Sequence, residues 1–444
     1  MSMHHNKITF EVQPGGTLQG EARVPGDKSI SHRSIMLGSI AEGITEVTGF
    51  LEADDCLSTM ESFKAMGVSI EGPKAGRVTI TGVGLHGLKD PQKPLYLGNS
   101  GTSMRLLSGL LAGQAFDVVL TGDESLSKRP MKRVTDPLRQ MGAAIDTTDD
   151  GTSPINIHGG VALKGIHYEM PVASAQVKSC LLLAGLYAKG TTSVHEPAPT
   201  RDHTERMLSG FGYPVTREGP TVSVQSGGTL KACSIDVPSD ISSAAFFMVG
   251  ASIARDADVT LLHVGMNPTR TGVIDILKLM GAQIDIINTR VVGGEPVADL
   301  RIRSSALRGV AIPEELVPLA IDEFPVLFVA AACAEGQTIL TGAEELRVKE
   351  SDRIQVMADG LKILGIDATP TPDGMAVIGG PLGGGVVESH GDHRIAMAFS
   401  IAGLRASGPI TIHDCAPVNT SFPTFVTLAH CLGLKIKAHK GDAV

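Results

Sequence analysis

The chain has 444 residues and a formal net charge of −9 at pH 7. This length predicts two or three domains with ample core, and the acidic balance argues against nucleic acid as a partner. No apolar run is long enough to span a membrane, because residues 324–334 cover about half of the roughly 20 residues that a span needs. A membrane is therefore not expected as a partner. Residues 1–7 have no apolar segment behind them, so we expect no signal peptide and a cytoplasmic protein.

Six segments begin with a short polar cluster and continue as an apolar helix with almost no charged face. In chain order the clusters are 27–29 (DKS), 99–102 (NSGT), 173–176 (ASAQ), 239–242 (SDIS), 322–323 (DE) and 392–394 (DHR). A helix that is apolar on all sides must be buried, and its start leaves N–H donors and partial positive charge that need a partner. Several such starts predict a site for a small, strongly anionic ligand.

The same order of elements follows each apolar helix: a β-rich run, a charged loop, an amphipathic helix and, in most copies, an alternating strand. The amphipathic helices are predicted to end at Met66-Gly67, Met141-Gly142, Phe211-Gly212, Met280-Gly281, Leu364-Gly365 and Leu432-Gly433. With one more strand in front, each copy is a βαβαββ repeat. Six such repeats account for nearly the whole chain and predict an α/β fold of compact domains, because their period exceeds that of ordinary solenoids.

Two Val-Pro segments predict a hinge. Residues 20–25 (GEARVP) precede the first repeat and 235–239 (IDVPS) precede the fourth. If the chain crosses between domains there, residues 24–237 form one three-repeat domain. Residues 238–444 form the other together with 1–23, whose predicted strand 7–12 completes it. Two equal domains joined by two strands would close on a ligand as a clamshell.

Other motifs predict little. Residues 82–87 (GVGLHG) match the dinucleotide-binding glycine pattern, but LKDP at 88–91 cannot open the required helix. The histidines show no His-Glu-x-x-His pairing, so no metal site is expected. The six cysteines have no close paired spacing and mostly sit among apolar neighbours, which predicts buried, reduced thiols.

The candidate site residues occupy the starts of the buried helices and the loops before the second helices. The first set is Lys28, Ser29, Arg33, Ser174, Gln176, Asp322, His393 and Arg394, and the second is Arg129, Arg201, Lys349, Glu350 and Arg353. Any one of these alone suits a helix cap or a solvated surface charge. Arg33 and Arg394 are more informative, because each lies in or beside an apolar helix turn and a buried cation needs an anion. A ligand carboxylate or phosphate would supply that anion.

Four segments resemble the 5-enolpyruvylshikimate-3-phosphate (EPSP) synthase family. They are 25–33 (PGDKSISHR), 97–102 (LGNSGT), 347–353 (RVKESDR) and 392–394 (DHR), and the resemblance runs from about residue 7 to 435 with motif order and spacing kept. Segment 172–179 (VASAQVKS) resembles the second of the family's two broad sequence classes. The resemblance implies a two-domain inside-out α/β barrel, in which each domain has three βαβαββ repeats with buried helices.

The resemblance also implies a reaction of the shikimate pathway of aromatic amino-acid biosynthesis, without a metal or organic cofactor. The 5-hydroxyl of shikimate 3-phosphate attacks C2 of phosphoenolpyruvate while C3 takes a proton. The tetrahedral adduct then loses inorganic phosphate and leaves an enolpyruvyl ether. Both substrates carry a phosphate and a carboxylate, which explains the need for several fixed cations, arginine forks above all.

Carried over position by position, the resemblance assigns roles to the candidates. Those implied to bind phosphoenolpyruvate are Lys28, Gly101, Arg129, Gln176, Arg353 and Arg394, and those implied to bind shikimate 3-phosphate are Lys28, Ser29, Arg33, Ser174, Ala175, Gln176, Arg201, Asp322 and Lys349. Asp322 is the implied base for the 5-hydroxyl, either Glu350 or Lys349 protonates C3, and Lys28 belongs to the same catalytic set. Asp322 also fits a plain N-cap of the helix after it.

Two departures from the family pattern stand out. Many members have a lysine near the C-terminal Phe-Pro, whereas residues 419–423 here are NTSFP, and what replaces that contact is open. One class has an early arginine where this chain has Ser125, so the role goes to Arg129. In this family glyphosate occupies the phosphoenolpyruvate site and alanine at position 101 crowds it. Gly101 therefore predicts a glyphosate-sensitive enzyme.

Two alternatives remain at this stage. The sister enolpyruvyl transferase acting on UDP-N-acetylglucosamine typically offers a reactive cysteine in a mobile loop, and residues 121–130 contain none. A non-catalytic receptor for phosphorylated acids would explain the cations but not Asp322, Lys349 and Glu350. Nothing in the sequence demands an oligomer, so a monomer is the default expectation.

Overall fold

The computed structural model describes residues 8–441. The expectation for residues 1–7, and Lys7 as the first residue of the predicted N-terminal strand, fall outside the described part. Within residues 8–441, no helix is both long and apolar enough to cross a membrane.

The described residues form thirteen α-helices, separated by short loops and four 3₁₀ segments at 314–316, 321–323, 344–348 and 416–420. The helices are α1 (Lys28–Ile40), α2 (Asp54–Ala65), α3 (Gly101–Ala112), α4 (Glu124–Ser127), α5 (Lys132–Gln140), α6 (Ala175–Gly185), α7 (His203–Gly210), α8 (Ile241–Ile253), α9 (Gly272–Leu279), α10 (Phe324–Ala332), α11 (Arg353–Ile363), α12 (His393–Ala402) and α13 (Phe425–Leu432).

The same part of the chain contains twenty-three β-strands. They are β1 (Ile8–Val12), β2 (Gln19–Ala22), β3 (Glu42–Thr48), β4 (Ser69–Lys74), β5 (Arg77–Val83), β6 (Leu95–Tyr96), β7 (Val118–Thr121), β8 (Ala144–Asp146), β9 (Ile155–His158), β10 (His167–Glu169), β11 (Thr191–His195), β12 (Val215–Glu218), β13 (Thr221–Gln225), β14 (Ser234–Asp236), β15 (Asp258–Gly265), β16 (Gln283–Val292), β17 (Glu295–Arg303), β18 (Gln337–Leu340), β19 (Asp367–Thr371), β20 (Gly374–Ile378), β21 (Gly385–Glu388), β22 (Ile410–His413) and β23 (Ile436–Lys440).

The six apolar helices are buried, as their sequences predict. Every residue of α8 and α10 is buried, and α1, α3, α6 and α12 are buried over most of their length. Five of the six polar starts act as N-caps through a side chain that accepts a backbone N–H. These caps are Asp27, Ser100, Ser174, Asp240 and Asp392. Burial thus comes with capped starts, which lowers the cost of enclosing polar backbone.

The second helix of each repeat ends at the predicted glycine. Gly67, Gly142, Gly212, Gly281, Gly365 and Gly433 all have positive φ, between 77° and 118°. Glycine adopts this left-handed conformation without a Cβ clash. The chain therefore turns at these six points into the strand that follows.

The described strands form six sheets with one recurring plan. Their orders are β14-β3-β5-β4, β6-β7-β9-β8, β10-β11-β13-β12, β2-β15-β17-β16, β18-β20-β19 and β21-β22-β1-β23. In a typical sheet the first two strands are parallel, as in β6 and β7, and the remaining strands are antiparallel. These sheets and the buried helices confirm the α/β fold of six βαβαββ repeats.

Two strands pair outside the repeat that follows them in the chain. β2 precedes α1 but pairs in parallel with β15, whereas β14 precedes α8 but pairs in parallel with β3. In addition, β1 pairs with β22 and β23. Pairing across such sequence distances depends on the packed repeats rather than on local pattern.

Internal contacts divide the chain into two compact units. Unit I comprises residues 26–237 and 292–295, and unit II comprises residues 1–25, 238–291 and 296–444, of which 1–7 and 442–444 are not described. Each unit has its own hydrophobic core, built around α1, α3 and α6 in unit I and around α8, α10 and α12 in unit II. The hinge stays a prediction.

The cysteines correct one expectation. All six are free thiols, but only Cys56, Cys180 and Cys415 are buried, whereas Cys431 on α13 is exposed. Burial raises the pKa of the Cys415 thiol to about 12. Apolar sequence neighbours predict burial poorly on an amphipathic helix, because one face of that helix meets solvent.

Candidate active site

In unit I the starts of α1, α3 and α6 are joined by side-chain hydrogen bonds. Gln176, in the first turn of α6, accepts a bond from Arg105 at 2.5 Å and donates one to Thr102 at 3.0 Å, both on α3. His32 on α1 lies 2.8 Å from Thr59, whose hydroxyl lies 2.6 Å from Ser103 on α3. The predicted polar helix starts therefore meet within this unit.

Burial keeps His32 neutral within this network. Burial lowers its pKa well below the ordinary value, and the neighbouring charges of Lys28 and Arg33 lower it further. A neutral imidazole can hydrogen-bond through Nδ1 while it adds no charge beside the two cations. The region is consequently rich in fixed cations without a protonated histidine among them.

Lys28, the first residue of α1, forms an ion pair with a carboxylate that the sequence analysis missed. Its Nζ donates to Asp55 Oδ2 at 2.8 Å, and the Lys28 side chain remains 18% exposed. Asp55 is the second residue of α2, so this pair links the starts of α1 and α2. A partly exposed, anchored ammonium is well suited to an anionic ligand.

Arg105 and Arg129 place two guanidinium groups next to Gly101. An added Cβ at Gly101 would lie 3.1 Å from Arg129 NH1 and 3.5 Å from Arg105 NH1. Arg129 donates to Asn99 Oδ1 at 2.5 Å, and Arg105 donates to the Pro130 carbonyl at 3.3 Å. We call Arg105 and Arg129 the cation cluster. Arg105 was missed because it lies within an apolar helix rather than at its start.

Arg33 joins three helices of the same unit. Its Nε donates to Thr204 on α7 at 2.7 Å, its NH2 to Ser179 on α6 at 2.9 Å, and its NH1 to the Ser29 carbonyl at 3.0 Å. The side chain is buried on α1. This arrangement places the Arg33 guanidinium beside the Ser29 backbone.

The other predicted residues of unit I lie on α6 and in the loop before α7. Ser174 caps α6 by accepting the Val177 N–H at 3.3 Å, and Ala175 is the first residue of that helix. Arg201 is half-buried, two residues before α7 begins. Gln176 is the member of this group that the described hydrogen bonds connect to Arg105 of the cation cluster.

In unit II, Arg353 lies among three carboxylates. Its Nε donates to Asp392 Oδ2 at 2.8 Å, its NH2 to Glu350 Oε2 at 2.6 Å and its NH1 to Asp322 Oδ1 at 3.3 Å. Burial opposes the charge of Arg353, but Asp392, Glu350 and Asp322 together raise its pKa above the ordinary value. We call Asp322, Glu350, Arg353 and Asp392 the carboxylate cluster.

Lys349 lies at the edge of the carboxylate cluster. Its Nζ is 3.7 Å from Asp322 Oδ1 and 3.8 Å from Glu345 Oε1, and its side chain is partly exposed. Asp322, Lys349, Glu350 and Arg353 are therefore brought together, although about thirty residues separate Asp322 from the rest. Such a group holds two carboxylates and one ammonium that can exchange protons with a ligand.

Asp322 is not the cap of α10. It lies in the 3₁₀ segment 321–323, and Glu323 takes the N-cap position without a side-chain cap bond. The plain capping interpretation of Asp322 is wrong, because the 3₁₀ turn moves the helix start on by one residue.

Two further charged residues, Arg270 and Asp240, support the start of α10 through Ser242. Ser242 donates its hydroxyl to Glu323 Oε1, and Arg270 NH2 donates to Ser242 at 2.7 Å and to Asp240 at 3.0 Å. Arg270 lies in the loop before α9, the fourth-repeat counterpart of the loops that hold Arg129 and Arg201 and of Arg353 at the start of α11. The repeat pattern itself was the signal that could have identified it.

Arg394 stands apart from these pairs. It is the second residue of α12 and is half-buried, and its backbone N–H donates to Asp392 at 2.9 Å. Among residues 8–441, no hydrogen bond or ion pair involves its side chain. His393, which the sequence also singled out, is buried at the first position of the same helix.

The two clusters supply cations and carboxylates. Within the described part of the chain, no group of three or more His, Cys, Asp or Glu side chains is arranged to hold a metal ion. The cation cluster suits phosphate and carboxylate groups. The carboxylate cluster adds the acid and base groups that proton transfer requires.

Comparison with known proteins identifies close relatives. The family model for EPSP synthase (3-phosphoshikimate 1-carboxyvinyltransferase) matches residues 12–428. A 3-phosphoshikimate 1-carboxyvinyltransferase from Methylococcus capsulatus is 72% identical over 98% of this chain and 100% of its own length. One from Alkalilimnicola ehrlichii is 69% identical over 98% of each chain.

Solved structures agree with these sequence matches. EPSP synthase from Acinetobacter baumannii is 64% identical, covers 97% of this chain and 100% of its own, and has a TM-score of 0.88. The enolpyruvyl transferase NikO from Streptomyces tendae is 17% identical with a TM-score of 0.78, over 98% of this chain and 100% of its own. That second likeness concerns the fold alone.

Proposed function

The chain belongs to the EPSP synthase family, and we propose that it transfers the carboxyvinyl group of phosphoenolpyruvate to the 5-hydroxyl of shikimate 3-phosphate, releasing inorganic phosphate. The carboxylate cluster with Lys349 is the observation that carries this proposal. Asp322 and Glu350 pair with one buried arginine, and Lys349 lies 3.7 Å from Asp322. A receptor for phosphorylated acids would need the cations but not this acid–base group.

We propose that phosphoenolpyruvate is bound by Lys28, Gly101, Arg129, Gln176, Arg353 and Arg394. The support is chemical: the ligand carries a phosphate and a carboxylate, and arginine forks match both groups. Arg129 is oriented by Asn99, and Gly101 leaves space beside it. Arg394 has a guanidinium with no described side-chain partner, which suits a ligand anion.

Shikimate 3-phosphate is proposed to contact Lys28, Ser29, Arg33, Ser174, Ala175, Gln176, Arg201, Asp322 and Lys349. The start of α6 offers backbone N–H groups and a positive helix end, both of which favour a phosphate. Arg33 and Ser29 lie together at the start of α1 for the ring carboxylate. Arg201 adds a second cation from the loop before α7.

The reaction requires one proton to leave and another to arrive. Asp322 is proposed to take the proton of the 5-hydroxyl as its oxygen attacks C2, and Glu350 or Lys349 is proposed to protonate C3. The tetrahedral adduct then loses phosphate from C2 while its C3 methyl group returns one proton to Glu350 or Lys349, so that the C2–C3 double bond of the enol ether forms. Each positioned acid or base contributes about 10²–10⁴-fold to such rates. The reaction as proposed requires no metal or organic cofactor.

Three further expectations belong to the proposal. Glyphosate inhibits at the phosphoenolpyruvate contacts, because Gly101 leaves room next to Arg129. The protein acts as a monomer, which sedimentation at assay concentration would test. It acts in the cytoplasm, which cell fractionation would test.

Phosphate release tests the activity directly. We expect release from phosphoenolpyruvate with shikimate 3-phosphate and none with UDP-N-acetylglucosamine. Release with the UDP-sugar alone would assign the chain to the sister reaction. Binding of both acids without any release would favour the receptor.

A further inference from the structure

Unit I contains a buried ion cluster that no step of the proposed reaction uses. Lys178 on α6 is fully buried, and its Nζ lies 2.8 Å from Glu196 Oε1 and 2.7 Å from Glu205 Oε1. The Glu196 and Glu205 side chains are only 2% and 9% exposed. Arg217 on β12 lies 3.0 Å from Glu196 but is 45% exposed. Lys178 is therefore the one deeply buried cation of this cluster.

Stability alone is a weak reason for such a cluster. Buried ion pairs lose about as much solvation as they gain in attraction, and apolar replacements are often neutral or stabilising. Their better-supported use is to favour one arrangement of the chain over others. The arrangement that Lys178 specifies is consequently the point of interest.

In the sequence, the two glutamates lie on either side of Arg201. Glu196 follows β11, and Glu205 lies in the first turn of α7, so the loop between them has both ends bonded to Lys178. Thr200, the residue before Arg201, donates its hydroxyl to Glu196. Lys178 thus attaches the Arg201 loop to α6, two residues beyond Gln176.

A second contact between α6 and α7 lies next to this ion cluster in the sequence. Thr204 on α7 donates to Ser179 on α6 at 2.7 Å, and Arg33 donates to both hydroxyls. Thr204 and Ser179 are the neighbours of Glu205 and Lys178. The ion cluster therefore also holds the α6–α7 contact on which Arg33 of α1 depends.

We propose that Lys178 is a positioning residue for shikimate 3-phosphate, acting through Arg201 and Arg33. This inference rests on the proposed function, in which those two arginines and the start of α6 bind that substrate. The proposed phosphoenolpyruvate contacts Lys28, Arg129 and Arg353 are held instead by Asp55, Asn99 and Asp392. Gln176, a proposed contact of both substrates, shares α6 with Lys178 but is held by Arg105 and Thr102 of α3. Loss of Lys178 therefore acts mainly on shikimate 3-phosphate.

The test is Lys178→Met, which keeps the length of the side chain and removes its charge. We expect the KM for shikimate 3-phosphate to rise by about 10- to 100-fold, because a small misplacement of a binding group has an effect of this size. The KM for phosphoenolpyruvate and kcat should change by less than about threefold. Lys64→Met is the matched control, because Lys64 pairs with Glu61 at an exposed position of α2, and both KM values should stay unchanged.

A second variant separates positioning from stability. Lys178→Met alone leaves two buried glutamates without their shared cation and lowers Tm. The triple variant Lys178→Met, Glu196→Gln, Glu205→Gln removes the charges together, so we expect Tm to recover while the KM for shikimate 3-phosphate stays raised. A purely structural role predicts that the KM returns to normal with Tm.

The outcomes distinguish this inference from the proposed function. Wild-type turnover with an unchanged KM for shikimate 3-phosphate in both variants overturns the positioning role and leaves the function intact. An equal rise in both KM values overturns it as well. Absence of wild-type turnover refutes the proposed function first, before any variant is measured, and the positioning role is refuted with it.

Discussion

Arg353 and Asp392 form an ion pair at 2.8 Å in which the two side chains are 1% and 0% exposed. They come from α11 and from the cap of α12, thirty-nine residues apart. Because the pair is fully buried, neither charge is compensated by water if the other is lost. This pair links the stability of unit II to the position of the arginine at the centre of the carboxylate cluster.

Asp392→Asn should therefore destabilise the protein by about 3 kcal/mol, near the lower end of the range for broken buried pairs. Glu350 and Asp322 still neutralise Arg353, which limits the loss, and asparagine retains the capping function. Urea unfolding measures the change. Ser351→Ala is the comparison, because it removes one hydrogen bond to Asp392 and should cost about 1 kcal/mol. Equal stability of Asp392→Asn and wild type would show that the pair is not structurally important.

Asp322→Ala should abolish phosphate release while ligand binding largely remains. The loss of a positioned base predicts a fall in kcat of about 10²–10⁴-fold. Calorimetric titration with shikimate 3-phosphate, beside the release assay, separates binding from chemistry. Because Glu323 and not Asp322 is the N-cap of α10, the variant should not lose the stability of a cap. Unchanged turnover would remove the base assignment.

Gly101→Ala should weaken glyphosate inhibition and raise the KM for phosphoenolpyruvate. The added methyl would lie 3.1 Å from Arg129 NH1, so the guanidinium must shift by a few tenths of an ångström. The glyphosate inhibition constants and the KM values for phosphoenolpyruvate of wild type and Gly101→Ala measure the effect. Gly210→Ala is a matched control, since its Cβ would meet nothing within 4 Å. If glyphosate inhibits Gly101→Ala as strongly as wild type, the space beside Arg129 does not determine glyphosate sensitivity.

His32 should make the protein less stable as the pH falls below about 6.5. Its folded-state pKa is lowered mainly by burial, so below the unfolded pKa the unfolded chain binds a proton that the folded chain does not. Each pH unit below that point costs up to about 1.4 kcal/mol. Urea unfolding of wild type and His32→Gln at pH 7.5, 6.5 and 5.5 isolates this contribution.

His158 provides the control of opposite sign. Its pKa is raised by the hydrogen bond to Asp146, so its contribution to stability is present at low pH and is lost as the pH rises through the folded pKa. His158→Gln should lose a small stabilisation at pH 5.5, in contrast to His32→Gln. Identical pH profiles for wild type and His32→Gln would contradict the buried, neutral state of His32.

The local features of the fold could be predicted because short-range chemistry determines them. Helices with no charged face must be buried, Asp27 and Ser174 cap the helices that they precede, and Gly67 or Gly433 ends a helix where only glycine adopts positive φ easily. Each of these signals lies within one or two helical turns. The motif segments, with their order and spacing, were sufficient to identify the family.

The partners of the charged groups could not be predicted. Lys178 reads as one polar residue in an apolar helix, and nothing near it in the sequence indicates Glu196 and Glu205. Arg105 was missed for the same reason, and the exposure of Cys431 follows from the face on which α13 packs.

The sequence by itself therefore determined the α/β class, the six repeats, the helix ends and the family. Tertiary structure alone decided that β2 pairs with β15, that β14 pairs with β3 and that Arg353 lies among three carboxylates. The physical reason is range: capping and hydrophobic periodicity act between residues a few positions apart. Strand pairing and ion pairs instead depend on how packed helices and sheets bring distant segments together.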